Sequence, residues 1–184
     1  MRAEVNQVPF LPTGRYRVLY ADPPWLYNDK LMIKRYVTIG ADYHYPCLSI
    51  QKLCELSVHD LGEANSVLFL WVTSPMLEGG FAVIKAWGYK YKASFVWDKV
   101  RHTYGHYNSV RHELLLVCTR GSCLPDSKKL VDSVLTIERT SHSAKPPEFR
   151  QLIDKLYPHG ARIELFARER AVGWDVWGND IKCE

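Results

Sequence analysis

The sequence lacks the marks of a stapled secreted domain and of a metalloprotein. Its five cysteines fall at 47, 54, 118, 123 and 183, an odd count without a Cys-x-x-Cys pair. That spacing suits neither a disulfide framework nor a zinc site, and reduced thiols are the simplest reading. The seven histidines show no ligand spacing, so no metal is expected. His102, His106 and His112 read as loop or phosphate contacts. No apolar run reaches the ~18 residues of a membrane span. The N-terminus MRAEVNQVPF has no apolar core of a signal peptide, and a cytoplasmic location is expected. Internal repeats and low-complexity stretches are missing too. Charge is weak: +4 with a pI near 8.7 permits a polyanionic partner without demanding one.

What is present is a chain of 184 residues with 47% apolar and 24% charged residues, ordinary for one globular domain. A chain of this size buries roughly 70% of its unfolded surface, so it needs no staple. The eleven tyrosines and six tryptophans are a rich aromatic stock, most of it expected in the core, with some able to stack on bases.

Strand-like and helix-like stretches alternate. Residues 17–21 read as a short buried strand, and 66–72 (SVLFLWV) as a strand covered on both faces. Ser49 caps a short helix to about Leu56. Met76, Phe81, Ile84 and Trp87 mark a second helix. Residues 91–97 alternate like a strand, Glu113–Thr119 is another, and 131–137 are β-like. Pro146-Pro147 opens a helix with Phe149, Leu152, Ile153 and Leu156 on one face. Arg162–Ala167 is a further strand. Exposed loops are expected at about 27–46 and 98–111. The pattern predicts one α/β domain over 1–184, with a mostly parallel sheet and helices on both faces.

Strand 17–21 runs into Asp22-Pro23-Pro24-Trp25. Proline has a carbonyl but no N–H and a fixed φ, and it holds the preceding residue extended. The corner therefore fixes a carbonyl beside a carboxylate, next to an aromatic plane. Two such acceptors fit the two N–H donors of an exocyclic amine on a flat ring, as in adenine. They favour the pyramidal nitrogen needed for attack and stabilise the charge that develops on it.

YADPPW, GADYHYPCLS, FLWVTS, FVWDK, SAKPPEF, IELFAR and WGND together resemble the Asp-Pro-Pro-Trp class of adenine-N6 methyltransferases, in family order from Tyr16 to Asp180. This is the family of the catalytic subunit of the messenger-RNA adenosine methyltransferase. The short chain is closest in look to bacterial and phage members. The resemblance implies a Rossmann-like, circularly permuted fold that uses S-adenosylmethionine. The implied reaction is methylation of the adenine amine in nucleic acid, with DNA preferred. The alternatives are adenosine in RNA, or a catalytically silent nucleic-acid-binding subunit. A homodimer or a partner subunit that grips substrate stays open.

The same resemblance implies residue roles. Asp22 and the Pro23 carbonyl would receive the amine, Pro24 would shape the corner, and Trp25 would pack at the base pocket. Cofactor contacts would come from Asp22, Lys145, Arg168, Arg170, Asn179 and Asp180. Lys145 precedes a helix N-terminus, where the dipole disfavours a bare cation and an anion would resolve the conflict; the cofactor's carboxylate is the family's answer. Glu164 is either a cofactor contact or a salt-bridge partner. Tyr45 is a candidate wall for the target base. Lys99, His106 and Tyr107 are candidate nucleic-acid contacts, in loops where basic and aromatic residues interleave. Many relatives carry His-Asn shortly after the arginine, whereas this chain has Arg170-Ala171.

Overall fold

The computed structural model describes residues 10–27, 47–104, 107–129, 131–139 and 145–179. These form a mixed α/β domain on one seven-stranded sheet. In chain order the elements are β1 (Tyr16–Ala21), α1 (Ile50–Glu55), β2 (Gly62–Val72), α2 (Leu77–Ala86), β3 (Lys90–Tyr104), β4 (Ser109–Arg120), β5 (Val134–Thr136), α3 (Pro147–Leu156), β6 (Arg162–Leu165) and β7 (Asp175–Trp177). The strand order is β5-β3-β4-β2-β1-β6-β7. β1 pairs in parallel with β2 and β6, and the pairs β3–β5 and β6–β7 are also parallel. β4 runs antiparallel to both β2 and β3.

The central strands are apolar on both sides because both faces are covered. On one face Leu19, Ala21, Leu68, Leu70 and Val72 meet Leu53 of α1 and Val83 and Ile84 of α2. On the other, Val18, Tyr20, Phe69, Trp71 and Leu115 meet Phe149, Leu152, Ile153 and Leu156 of α3. The α3 set recurs at i, i+3, i+4 and i+7, so a single stripe of the helix supplies it. Ser49 caps α1, its side chain accepting from the Lys52 N–H at 3.2 Å. After α2, Gly88 takes a φ of +78°, a conformation that glycine adopts without strain. The turn brings the Trp87 carbonyl to Arg120, which donates to it at 2.7 Å.

One expectation needs correction. Residues 98–111 are not mainly a loop. β3 and β4 continue through them as a hairpin, pairing Asp98 with His112 and Thr103 with Val110, with an irregular register between. The backbone ladder holds these strands although Val100, Arg101, His102, Ser109 and Arg111 are exposed to water. Beyond Ala167, β7 adds a strand to β6, and Trp177 reaches the core. Residues 28–46, most of the other expected loop, lie outside the described residues. None of the described helices is long and apolar enough to cross a membrane.

Candidate active site

β1 and β2 are parallel and end at the same edge of the sheet; antiparallel β4 begins there. Side chains alternate faces along a strand. Asp22, two residues beyond Tyr20, therefore keeps to the α3 face, as do Trp71 near the end of β2 and Glu113, two residues before Leu115. Lys145, two residues before the first turn of α3, enters over the same edge. A topological switch lies here as well, since β1 has β2 on one side and β6 on the other. Open α/β sheets bind ligands in such a crevice.

The corner is held from both sides. The Trp25 N–H donates to the Pro23 carbonyl at 2.9 Å, which closes a tight turn around Pro24. The Leu48 N–H donates to the Pro24 carbonyl at 2.8 Å, and the Leu26 N–H to the Leu48 carbonyl at 3.0 Å. The Pro24 carbonyl is thus engaged by a strand-like bridge. The Pro23 carbonyl keeps a second lone pair for another donor. Trp25 is buried, and its indole N–H donates to the Trp71 carbonyl at 3.1 Å. It ties the corner to the end of β2.

Four charged side chains line up across the edge in alternating sign. Lys145 Nζ donates to Asp22 Oδ1 at 2.8 Å and to Oδ2 at 2.7 Å, and lies 3.3 Å from Glu113 Oε2. Lys99 Nζ donates to Glu113 Oε1. Aromatic rings floor the chain: Lys145 lies 5.4 Å over Trp71 and Lys99 5.3 Å over Trp97. The two indoles meet edge to face at 6.2 Å. Trp71 in turn donates its N–H to the Tyr20 hydroxyl at 2.7 Å, and burial pushes that hydroxyl's pKa far up.

Burial works against charge at this edge, and the partners outweigh it. Burial alone would raise the Glu113 pKa, yet Lys145 and Lys99 hold it below its ordinary value. Burial alone would lower that of Lys145, yet Asp22 and Glu113 hold it above. Glu164 differs: burial raises its pKa despite Arg150, which donates to it at 2.9 Å from α3. The salt bridge left open for Glu164 is formed, with Arg150 as its partner.

Lys145, a candidate contact to the cofactor's carboxylate, pairs in the folded chain with Asp22, 123 residues away, and with Glu113. Lys99, a candidate nucleic-acid contact, is largely buried against Glu113, with 12% of its side chain exposed. Tyr107 is fully exposed near the tip of the β3–β4 hairpin. Arg168, Arg170 and Asn179 lie exposed beyond β6 and β7. Just before them Phe166 takes a φ of +61° and packs on Trp177 at 5.1 Å. Such a conformation costs a non-glycine residue about 1–3 kcal/mol, a kind of strain that clusters at functional edges. Tyr45, His106 and Asp180 lie outside the described residues. Glu113 and Trp71 were missed as site residues. The one available signal was a glutamate opening an otherwise apolar strand, ELLLVC.

Among the described residues no group of His, Cys, Asp or Glu is arranged to hold a metal ion. At the corner the edge offers the Asp22 carboxylate paired with the Lys145 ammonium, the charge complement of an amino-acid zwitterion, beside a carbonyl and aromatic rings.

Comparison with known proteins agrees with that chemistry. The MT-A70 family profile matches residues 16–180. A type II methyltransferase, M.MunI of Mycoplasma sp, is 37% identical over 94% of this chain and 81% of its own length. The N(6)-adenosine-methyltransferase catalytic subunit METTL3 of Homo sapiens is 29% identical over 91% of this chain. The MT-A70-like N(6)-adenosine-methyltransferase of Arabidopsis thaliana is 27% identical over the same share. This chain spans only 28% and 24% of those two proteins. The match covers nearly all of the described sheet and every element of the charged edge, and the chain belongs to the MT-A70 family of adenine methyltransferases.

Proposed function

We propose that this chain transfers a methyl group from S-adenosylmethionine to the exocyclic amine of adenine in DNA. The observation that carries the reading is the Lys145 ammonium seated on both oxygens of the Asp22 carboxylate. A methionine moiety carries the same two charges in mirror order, so its ammonium fits Asp22 and its carboxylate fits Lys145. The donor set therefore suits the cofactor. Arg168, Arg170 and Asn179, around the ends of β6 and β7, would serve its ribose and adenine, together with Asp180. The order of these segments along the chain, with the corner first, supports a permuted methyltransferase fold.

When bound, the cofactor supplies a methyl group activated on a sulfonium. This chain's residues do the rest. Asp22 and the Pro23 carbonyl accept the two N–H groups of the target amine, which turns its lone pair out of the ring plane. The same acceptors stabilise the positive charge that grows on nitrogen, each charge-assisted hydrogen bond contributing roughly 1.5–3 kcal/mol. The surplus proton leaves along the hydrogen bond to Asp22. Trp25 positions the corner through its bond to the Trp71 carbonyl. Tyr45 would wall the base. Orientation accounts for the remainder of the acceleration.

The preference for DNA follows the likeness to a type II methyltransferase along most of both chains. Tyr107 and His106 would meet the strand, with Tyr107 fully exposed for stacking. RNA is the second reading, favoured by relatives named N(6)-adenosine-methyltransferases. Retention of Asp22, both prolines and Lys145 argues against a silent subunit. The test is transfer of labelled methyl from S-adenosylmethionine to single- and double-stranded DNA and RNA, followed by nucleoside mass spectrometry. N6-methyladenine in DNA is expected. N6-methyladenosine in RNA alone would move the substrate, and no product on any polymer would overturn the reading.

A further inference from the structure

Two members of the charged edge have no part in that chemistry. Glu113 lies between two cations, and Lys99 is one of them. Lys99 is poorly placed for a phosphate: its ammonium is bonded to Glu113, its side chain is 12% exposed, and it lies over the Trp97 ring. Trp97 faces Glu113 directly across the β3–β4 ladder. The same indole edges Trp71, which floors Lys145. Lys99, Glu113 and Lys145 are thus one packed unit, held by two strands and two rings.

In the free chain Lys145 is held by Asp22 and Glu113 together. A zwitterion that takes Asp22 removes one of these anchors. Glu113 then becomes the carboxylate that fixes Lys145 where the ligand's carboxylate must dock. Glu113 can do so only if it is itself fixed, and Lys99 grips its other oxygen. We propose that Lys99 is a positioning residue for the cofactor, acting through Glu113 on Lys145, and not a contact to nucleic acid. This rests on the function proposed above.

The experiment is calorimetric titration of S-adenosylmethionine into the wild type, Lys99→Met, Lys99→Arg, Glu113→Gln and the double variant, without nucleic acid. A parallel measurement follows the salt dependence of DNA binding. Lys99→Met should weaken cofactor binding about tenfold, and Lys99→Arg should restore it. Lys99→Met should cause no further loss on the Glu113→Gln background, because its action runs through Glu113. The salt slope of DNA binding should stay as in the wild type. Unchanged cofactor affinity in Lys99→Met would overturn the inference. So would a salt slope lower by about one phosphate contact. If Lys99→Met alone fails to fold, the double variant decides, since it removes both buried charges together. Binding as in Glu113→Gln alone supports the inference, and weaker binding refutes it. A wild type that does not bind the cofactor sinks the proposed function and this inference with it. A wild type that binds no better than Lys99→Met sinks the inference alone.

Discussion

Replacing Lys145 by methionine keeps the stem over Trp71 and deletes the ammonium. Two carboxylates then lose a cation in a poorly solvated place, since the side chains of Lys145, Asp22 and Glu113 are 15%, 21% and 14% exposed. Removing one partner of a buried pair costs about 3–5 kcal/mol. Lys99 still neutralises part of Glu113, and some water reaches Asp22, so the expected loss is about 2–4 kcal/mol. For a chain of this size that lowers Tm by about 5–15 °C. Urea unfolding of the ligand-free protein at neutral pH measures it. Adding Asp22→Asn should return about 1–2 kcal/mol, because the stranded charge is gone. A Lys145→Met protein within ~1 kcal/mol of the wild type would mark the pair as a loose surface contact. That result would remove the basis for reading the edge as a zwitterion site.

Three further outcomes follow from single features. Glu113 has a folded pKa below its ordinary 4.5, so its contribution is full above that value and is lost as the pH falls below it. Glu113→Gln should therefore flatten the acid limb of stability against pH, and an unchanged limb would contradict the assignment. Trp25→Phe leaves the Trp71 carbonyl without its 3.1 Å donor; stability should fall by about 1–2 kcal/mol, and kcat should fall more than cofactor affinity in steady-state kinetics. Val100 takes a φ of +65° in the β3–β4 hairpin, a conformation that costs a side chain about 1–2 kcal/mol. Val100→Gly should therefore leave stability unchanged or raise it by about 1 kcal/mol, and a clear loss in denaturant would refute strain at that position.

Local signals in the sequence carried far. The helix over Pro147–Leu156, the Ser49 cap and the strand that runs into Asp22 all follow from patterns within a dozen residues. The hairpin did not, because its outer half buries little, and backbone pairing leaves no hydrophobic period to read. β7 is three residues long and gains its order from β6 and from Trp177 in the core. The site was legible where one segment holds it, as in Asp-Pro-Pro-Trp. The need for an anion near Lys145 was legible too, from the helix dipole. Its identity in the free chain was not, because the Asp22–Lys145 bond joins ends of the fold 123 residues apart. Glu113 was hidden for the same reason: alone it looks like the polar start of a strand, and only the fold sets it between two lysines.

The central claim is that Asp22 receives the adenine amine. The most direct measurement is the single-turnover rate of methyl transfer to an adenine-containing duplex at saturating S-adenosylmethionine, comparing wild type with Asp22→Asn. The substitution keeps the shape of the corner and leaves Lys145 paired to Glu113. The account predicts a fall in rate on the order of 10²–10⁴ with the duplex still bound. A variant that methylates adenine at near wild-type rate would contradict it.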